Sequence, residues 1–252
     1  MDELPEPIPA ATLILMRPSS AGPPELLMIE RAKTMAFAAG ALVFPGGRID
    51  PADHDAAAAL GLDFADAAAR IAAIRETIEE TGIAPALQPS PDAAIAQALR
   101  GGVHAGEPFH RLIARLGLDL EPAALIPFAR WCPNFRETRR FDTLFYLAEA
   151  PAEAAPASAD EYESVHTFWA SAEEVLAEQA AGRAHAIFPT RRNLERLARF
   201  ASIEEARADA ALYPVRKITP WIEEREGGRF LCIPDDAGYP VTAEAIETAR
   251  RR

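Results

Sequence analysis

At 252 residues, with 49% hydrophobic and 25% charged residues, the chain has enough apolar material for a substantial core. Its formal net charge of −12 works against a non-specific grip on nucleic acid, which relies on Lys and Arg to neutralise phosphates. No apolar run is long enough to span a bilayer, and residues 1–7 are acidic where a secretory leader is basic and then apolar, so a cytoplasmic location is expected.

In chain order, residues 11–16 read as a strand, the Pro/Gly/Ser stretch 18–24 as a turn and residues 25–31 as a second strand. A short strand over 41–44 runs into Pro45-Gly46-Gly47, where glycine supplies the backbone freedom for a tight bend. The run Ala56-Ala57-Ala58-Ala59-Leu60 before Gly61 predicts a short helix, and Asp63 is the expected N-cap of a longer one through Gly82. Two helices are expected over 92–100 and 107–116, interrupted at Gly101-Gly102; they read as a cap or packing insertion. Paired strands over 123–131 and 140–147 follow, then an Ala/Pro/Glu loop over 151–156. A strand-like stretch leads to Trp169, and Ser171 with Glu174 forms a capping box for a helix through Ala181. Residues 190–211 are helical in pattern, and 215–222 with 229–233 suggest a hairpin turned at Gly227-Gly228. Cys132 and Cys232 lack metal-ligand spacing and are read as reduced thiols.

The acidic helix that includes residues 75–83 carries the chemistry. On a helical wheel Glu76, Glu79 and Glu80 share one face, while Ala67, Ile71, Ile74 and Ile78 lie nearly opposite. Glu76 and Glu80 repel at i,i+4, and both sit near the helix C-terminus, where the dipole disfavours anions. Something positive should offset both effects. Arg75 neutralises one carboxylate and leaves net negative charge suited to a hard cation such as Mg²⁺ or Mn²⁺, which prefers oxygen ligands.

Gly47, Asp53, Arg75, Glu76, Glu79, Glu80, Gly82 and Ile83 together resemble the Nudix box. Three departures stand out: Asp53 occupies a position held by Glu, Thr77 replaces an aliphatic residue, and residues 54–74 separate Asp53 from Arg75 where the family pattern is much shorter. The interrupted box, with Arg31, Phe44 to Gly47, Trp131, the run from Thr138 to Phe145 and Phe188-Pro189-Thr190, is similar to the branch of Nudix hydrolases that includes acyl-CoA diphosphatases. The resemblance implies a Nudix-like α/β/α sandwich with a mixed sheet. Residues 1–252 then form a single domain, with an insert at 54–66 in the box, a helical insertion at 88–120 and a C-terminal helix and hairpin extension at 190–252.

The same resemblance implies hydrolysis of a diphosphate linkage in a nucleoside diphosphate conjugate, with Mg²⁺ or Mn²⁺ held by Glu76, Glu79, Glu80 and the Gly47 carbonyl. Arg75 would orient the acidic cluster through its planar fork, and Glu76 or a carboxylate of the 161–163 segment, Glu163 above all, would serve as base. Coenzyme A or acyl-CoA is the expected substrate, with Arg31, Arg139, Arg140 and Trp131 as candidate contacts. The CoA-directed signature has an arginine where this chain has Ala36, so ADP-ribose or NADH stands as the alternative, with a non-catalytic nucleotide-binding regulator behind it. The expected partner is a small nucleotide-derived molecule, with no nucleic acid and no membrane; a homodimer is compatible with the sequence.

Overall fold

The computed structural model describes residues 5–32, 38, 40–133, 140–152 and 164–249. In chain order the first half comprises β1 (Ile8–Arg17), β2 (Glu25–Arg31), β3 (Leu42–Val43), β4 (Gly46–Arg48), α1 (Pro51–Ala59) and α2 (Ala67–Thr81). Next come β5 (Leu87–Gln88), α3 (Ala93–His104), α4 (Phe109–Arg115) and β6 (Asp119–Leu120). Then come β7 (Ile126–Trp131), β8 (Phe141–Glu149), β9 (Ser164–Ser171), α5 (Ala172–Ala180), α6 (Phe188–Leu197) and α7 (Ile203–Leu212). The last elements are β10 (Lys217–Ile218), β11 (Trp221–Arg225), β12 (Gly228–Cys232), β13 (Ala243–Ala245) and α8 (Ile246–Ala249).

Alternation along the central strands explains the layering. In β1, Ala11, Leu13 and Leu15 enter one apolar cluster while Ile14 and Met16 enter another. In β2, Leu27 divides from Leu26 and Met28 in the same way, and in β8 Tyr146 divides from Phe145 and Leu147. Side chains alternate across a strand, so a sheet apolar on both faces needs helices on both. One cluster takes in Ile71, Ile74 and Ile78 of α2 with Leu99, Leu112 and Ile113 of the insertion. The other takes in Val175, Leu194, Leu197 and Ala206 from α5, α6 and α7. The result is an α/β/α sandwich around a mixed sheet of order β10-β7-β8-β1-β2-β3, with β4 joined to β1 and β9 to β2. β1 and β8 are parallel, while β2 runs antiparallel to β1 and to β9.

β4 positions the site. Its Gly46, Gly47 and Arg48 pair with Thr12, Ala11 and Ala10 of β1, and the Leu13 N–H donates to the Pro45 carbonyl. Both sides of the bend are thus fixed to a buried strand.

Several boundaries differ from the sequence expectation. α3 runs through Gly101-Gly102 to His104, because Gly102 lies where a Cβ would strike Leu112 of α4; the glycine is a contact point between helices and not a break. The N-cap of α2 is Asp66 and not Asp63, and the Asp66 carboxylate serves Arg70 and the Tyr146 hydroxyl in place of the helix amides. The strand expected from residue 123 starts at Ile126, after a 3₁₀ turn at Pro122–Ala124. The helical stretch 190–211 divides into α6 and α7, the second capped by Ser202. Residues 215–222 do not form one hairpin arm: β10 pairs with β7, and after Pro220, which has no N–H to give a ladder, β11 pairs with β12. Ser171 and Glu174 form the expected capping box of α5. Cys132 and Cys232 are free and buried.

Candidate active site

α2 presents its carboxylates to the glycine bend because its other faces are committed to the core. Ile71, Ile74 and Ile78 are fully buried, and Thr77, where the family pattern has an aliphatic residue, is also buried. Its hydroxyl donates to the Ala73 carbonyl one turn back at 2.7 Å, which satisfies the polar atom within the helix.

Two of the three glutamates meet the bend. The Gly46 N–H donates to Glu80 Oε2 at 2.9 Å, and Glu80 is almost wholly buried. Glu76 lies against Gly47 so closely that a Cβ there would overlap its carboxylate. Glu79 turns elsewhere: its carboxylate stands 3.4 Å from Arg75 Nη1 and 3.9 Å from His104 Nδ1. Among the described residues, no group of three or more His, Cys, Asp or Glu side chains stands ready-made around a common point for a metal ion.

Arg75 ties the cluster together. It donates to Asp53 through Nε at 2.9 Å and Nη2 at 3.0 Å, to Glu76 Oε1 at 2.9 Å and to the Arg48 carbonyl at 3.2 Å. The fork matches a carboxylate bidentately and so holds Asp53 in a fixed plane. Asp53 is buried on the first turn of α1, and its second oxygen also accepts from the Asp50 N–H at 2.9 Å. Despite the long separation from Arg75, Asp53 thus joins the cluster as the anchor of its arginine.

The charges are unbalanced. Burial pushes the Glu76 carboxyl up to about 7, Arg75 opposes this, and the neighbouring Glu79 adds to it. Burial pulls the Arg75 guanidinium down, but the hydrogen bonds to Asp53 and the charges of Glu76 and Asp53 outweigh it and hold the group above its ordinary value. One guanidinium faces Asp53, Glu76 and Glu79 at once.

The other sequence candidates lie apart from this cluster. Trp131 is 1% exposed, donates through Nε1 to the Tyr239 hydroxyl at 3.0 Å and meets Phe188 and Tyr239 edge to ring. It is a core residue, with no free face for a base to stack on, which corrects the expectation of substrate contact. Arg31 ends β2 and Arg140 precedes β8; each is partly buried with an Nε that lacks a hydrogen-bond partner. Arg139, Glu163 and Ala36 lie outside the described residues. The sequence reading missed Arg100 of α3, whose Nε donates to the Glu79 carbonyl at 2.9 Å and whose Nη2 donates to that of Glu80 at 3.4 Å. It also missed His104, and the i,i+4 spacing of the two on one helix was the signal available.

No protein-family model matches the chain. The acyl-coenzyme A diphosphatase NUDT19 of Gallus gallus is 28% identical across 88% of this chain and 75% of that protein. Its namesake from Homo sapiens is 28% identical across 94% of this chain and 82% of that protein. Among solved structures, a NUDIX hydrolase from Alicyclobacillus acidocaldarius superposes with a TM-score of 0.70 and 27% identity, covering 81% of this chain and 96% of that one. The chain is a relative of the Nudix hydrolases. The fold shared with that hydrolase sets Arg75, Glu76 and Glu80 around the glycine bend as described above, and similarity to proteins named as hydrolases supports a Nudix-type pyrophosphohydrolase. Among the described residues no helix is long and apolar enough to cross a membrane.

Proposed function

We propose that this Nudix relative hydrolyses the diphosphate linkage of coenzyme A or an acyl-CoA, releasing 3′,5′-ADP and an (acyl-)phosphopantetheine, with Mg²⁺ or Mn²⁺ as cofactor. The observation that carries the reading is the convergence of carboxylates on the bend: Glu76 lies against Gly47, Glu80 accepts from the Gly46 N–H, and the Arg75 guanidinium is shared among Asp53, Glu76 and Glu79. A buried carboxylate that is not fully neutralised is a place for a cation, and the donors at hand are carboxylate oxygens, the kind hard divalent ions take. The residues therefore suit such an ion. Glu76 and Glu80 would hold it with the Gly47 carbonyl, and Glu79 would join by turning from Arg75. Once bound, the ion would supply neutralisation of the phosphate oxygens and acidification of a water.

The chain's own residues do the rest. Arg75, locked by Asp53, keeps Glu76 oriented toward the bend. The Gly46 N–H keeps Glu80 in place, and the paired strands β1 and β4 prevent the bend from drifting. Such fixed positioning is what an in-line displacement at phosphorus requires. The proton of the attacking water goes to Glu163 or Glu76, and Arg31 and Arg140, with unsatisfied guanidinium nitrogens, are suited to substrate phosphates together with Arg139. Likeness to the acyl-coenzyme A diphosphatases over most of the chain supports the CoA assignment.

The test is a product screen of the full chain with CoA, acyl-CoA, NADH, ADP-ribose and dinucleoside polyphosphates, each with Mg²⁺, with Mn²⁺ and with chelator. Release of 3′,5′-ADP from CoA that vanishes with chelator is the expected result. AMP from NADH or ADP-ribose, with CoA untouched, would overturn the substrate; binding with no turnover of any compound would overturn the reaction.

A further inference from the structure

The carboxylates of α2 sit at the wrong end of a helix for anions, and the residue that compensates comes from outside the Nudix box. The last carbonyls of a helix have no intrahelical partner, and that end bears partial negative charge to which Glu76, Glu79 and Glu80 add. α2 ends at Thr81; Gly82, in the left-handed conformation, returns its N–H to the Ile78 carbonyl. The Glu79 and Glu80 carbonyls lie beyond that closure, and Arg100 donates to both. One turn further along α3, His104 faces the Glu79 carboxylate at 3.9 Å.

We propose that Arg100 is a positioning residue for the cation site, supplied by the helical insertion to hold the last turn of α2 so that Glu80 stays on the glycine bend. This rests on the metal-site reading above. The geometry supports it in two further ways. Glu80 reaches the Gly46 N–H from the penultimate residue of α2, so a fraying terminal turn would carry its carboxylate away from the bend. Arg100 itself stands on a firm base: its neighbour Leu99 is fully buried, and Gly102 meets Leu112 of α4. A guanidinium spans two carbonyls with separate nitrogens, which a lysine ammonium at the same position does less well. The insertion is thus a brace for the site and not only a packing element.

The experiment uses the full chain as wild type, Arg100→Ala, Arg100→Lys and Ile113→Val, the last removing one methylene from α4 as a control for general loss of stability. Three quantities are read: Mn²⁺ affinity by electron paramagnetic resonance without substrate, amide hydrogen exchange of residues 79–83, and thermal stability. Arg100→Ala is expected to weaken Mn²⁺ about tenfold and to speed exchange over 79–83, with Arg100→Lys in between. Ile113→Val should lower the melting temperature by a few degrees, with Mn²⁺ affinity unchanged. Unchanged exchange over 79–83 in Arg100→Ala would overturn the proposal, as would Ile113→Val weakening Mn²⁺ equally at matched stability. Wild type that binds no Mn²⁺ would overturn the metal reading and with it the role in the site, while faster exchange in Arg100→Ala would still show the brace on the helix end.

Discussion

Two buried arginine and carboxylate networks lie on opposite faces of the sheet, and they differ in balance. On the C-terminal side Arg192, 1% exposed, pairs with Glu195 at 2.9 Å and Glu244 at 2.8 Å, and Arg191 reaches the same two acids. Arg196, also 1% exposed, pairs with Asp209, donates to the Phe128 carbonyl and lies over the Phe128 ring at 4.0 Å. Three cations meet three anions there. At the glycine bend one guanidinium, Arg75, faces Asp53, Glu76 and Glu79 together, with Glu80 beside them and His104 beyond Glu79. The first network is matched in charge and holds α6, α7 and the C-terminal segment to the sheet, with Arg192 Nε and one Glu195 oxygen left without a hydrogen-bond partner. The second is short of positive charge, which is costly for folding and is the condition under which a cation binds.

The largest effect expected from this contrast is on turnover. Glu80→Gln keeps the side chain's size and leaves an oxygen for the Gly46 N–H, yet removes a charge; activity should fall about a thousandfold while the melting temperature holds or rises. Activity within tenfold of wild type would mean the bend is not the reaction centre. The complementary change, Arg196→Met, strands Asp209 and should cost about 3–5 kcal/mol in denaturant unfolding, because a buried charge loses its partner. Its folded fraction should turn over normally. If Arg196→Met instead abolishes turnover at full stability, the two networks do not divide between structure and function.

The pH dependence sharpens the same point. Folding raises the Glu76 carboxyl from 4.5 to about 7 through burial, so the metal-free fold binds this proton more tightly than the unfolded chain does. The associated stability is fully present below about pH 4.5 and is lost as pH rises through about 7, a difference of up to about 3 kcal/mol. Comparing wild type with Glu76→Gln isolates it: without metal, the wild type should lose stability relative to the variant between pH 5 and 8. Added Mn²⁺ should restore the wild type at pH 8 and not at pH 5, where the proton competes. A wild type minus variant difference that stays flat with pH would remove the charge-excess account.

Much of the bend was legible because it depends on local spacing. Glu76, Glu79 and Glu80 on one face and Ile71, Ile74 and Ile78 on another follow from the helical period alone, and Gly46-Gly47 announces a close approach. The strands of the sandwich were legible in outline for the same reason. What escaped depends on contacts distant in sequence. Asp53 meets Arg75 only because α1 folds back on α2, and Arg100 meets Glu79 and Glu80 only because α3 does not break at its glycines. Trp131 looked available for a ligand until Tyr239, far along the chain, proved to cover its Nε1. The balanced network joins α6 to residues around 239–244, and no local pattern foretells which arginine meets which acid.

The two glycines of the bend offer the finest separation of fold from site. A methyl at Gly46 would come within 2.5 Å of the Ala11 carbonyl oxygen and 2.7 Å of Thr12 Cα, backbone atoms that cannot step aside. Gly46→Ala should therefore cost a few kcal/mol of stability, on the order of 2–4, by prising β4 from β1. The atoms nearest a methyl at Gly47 are those of the Glu76 carboxylate, the far end of a flexible side chain that can swing away. Gly47→Ala should cost under about 1 kcal/mol in thermal unfolding, yet it displaces the carboxylate proposed to hold the cation. Mn²⁺ affinity should drop while the fold persists. Were Gly47→Ala to unfold the chain as readily as Gly46→Ala, Glu76 would be part of the packing and not a movable ligand, and the contrast between the balanced and unbalanced networks would lose its meaning.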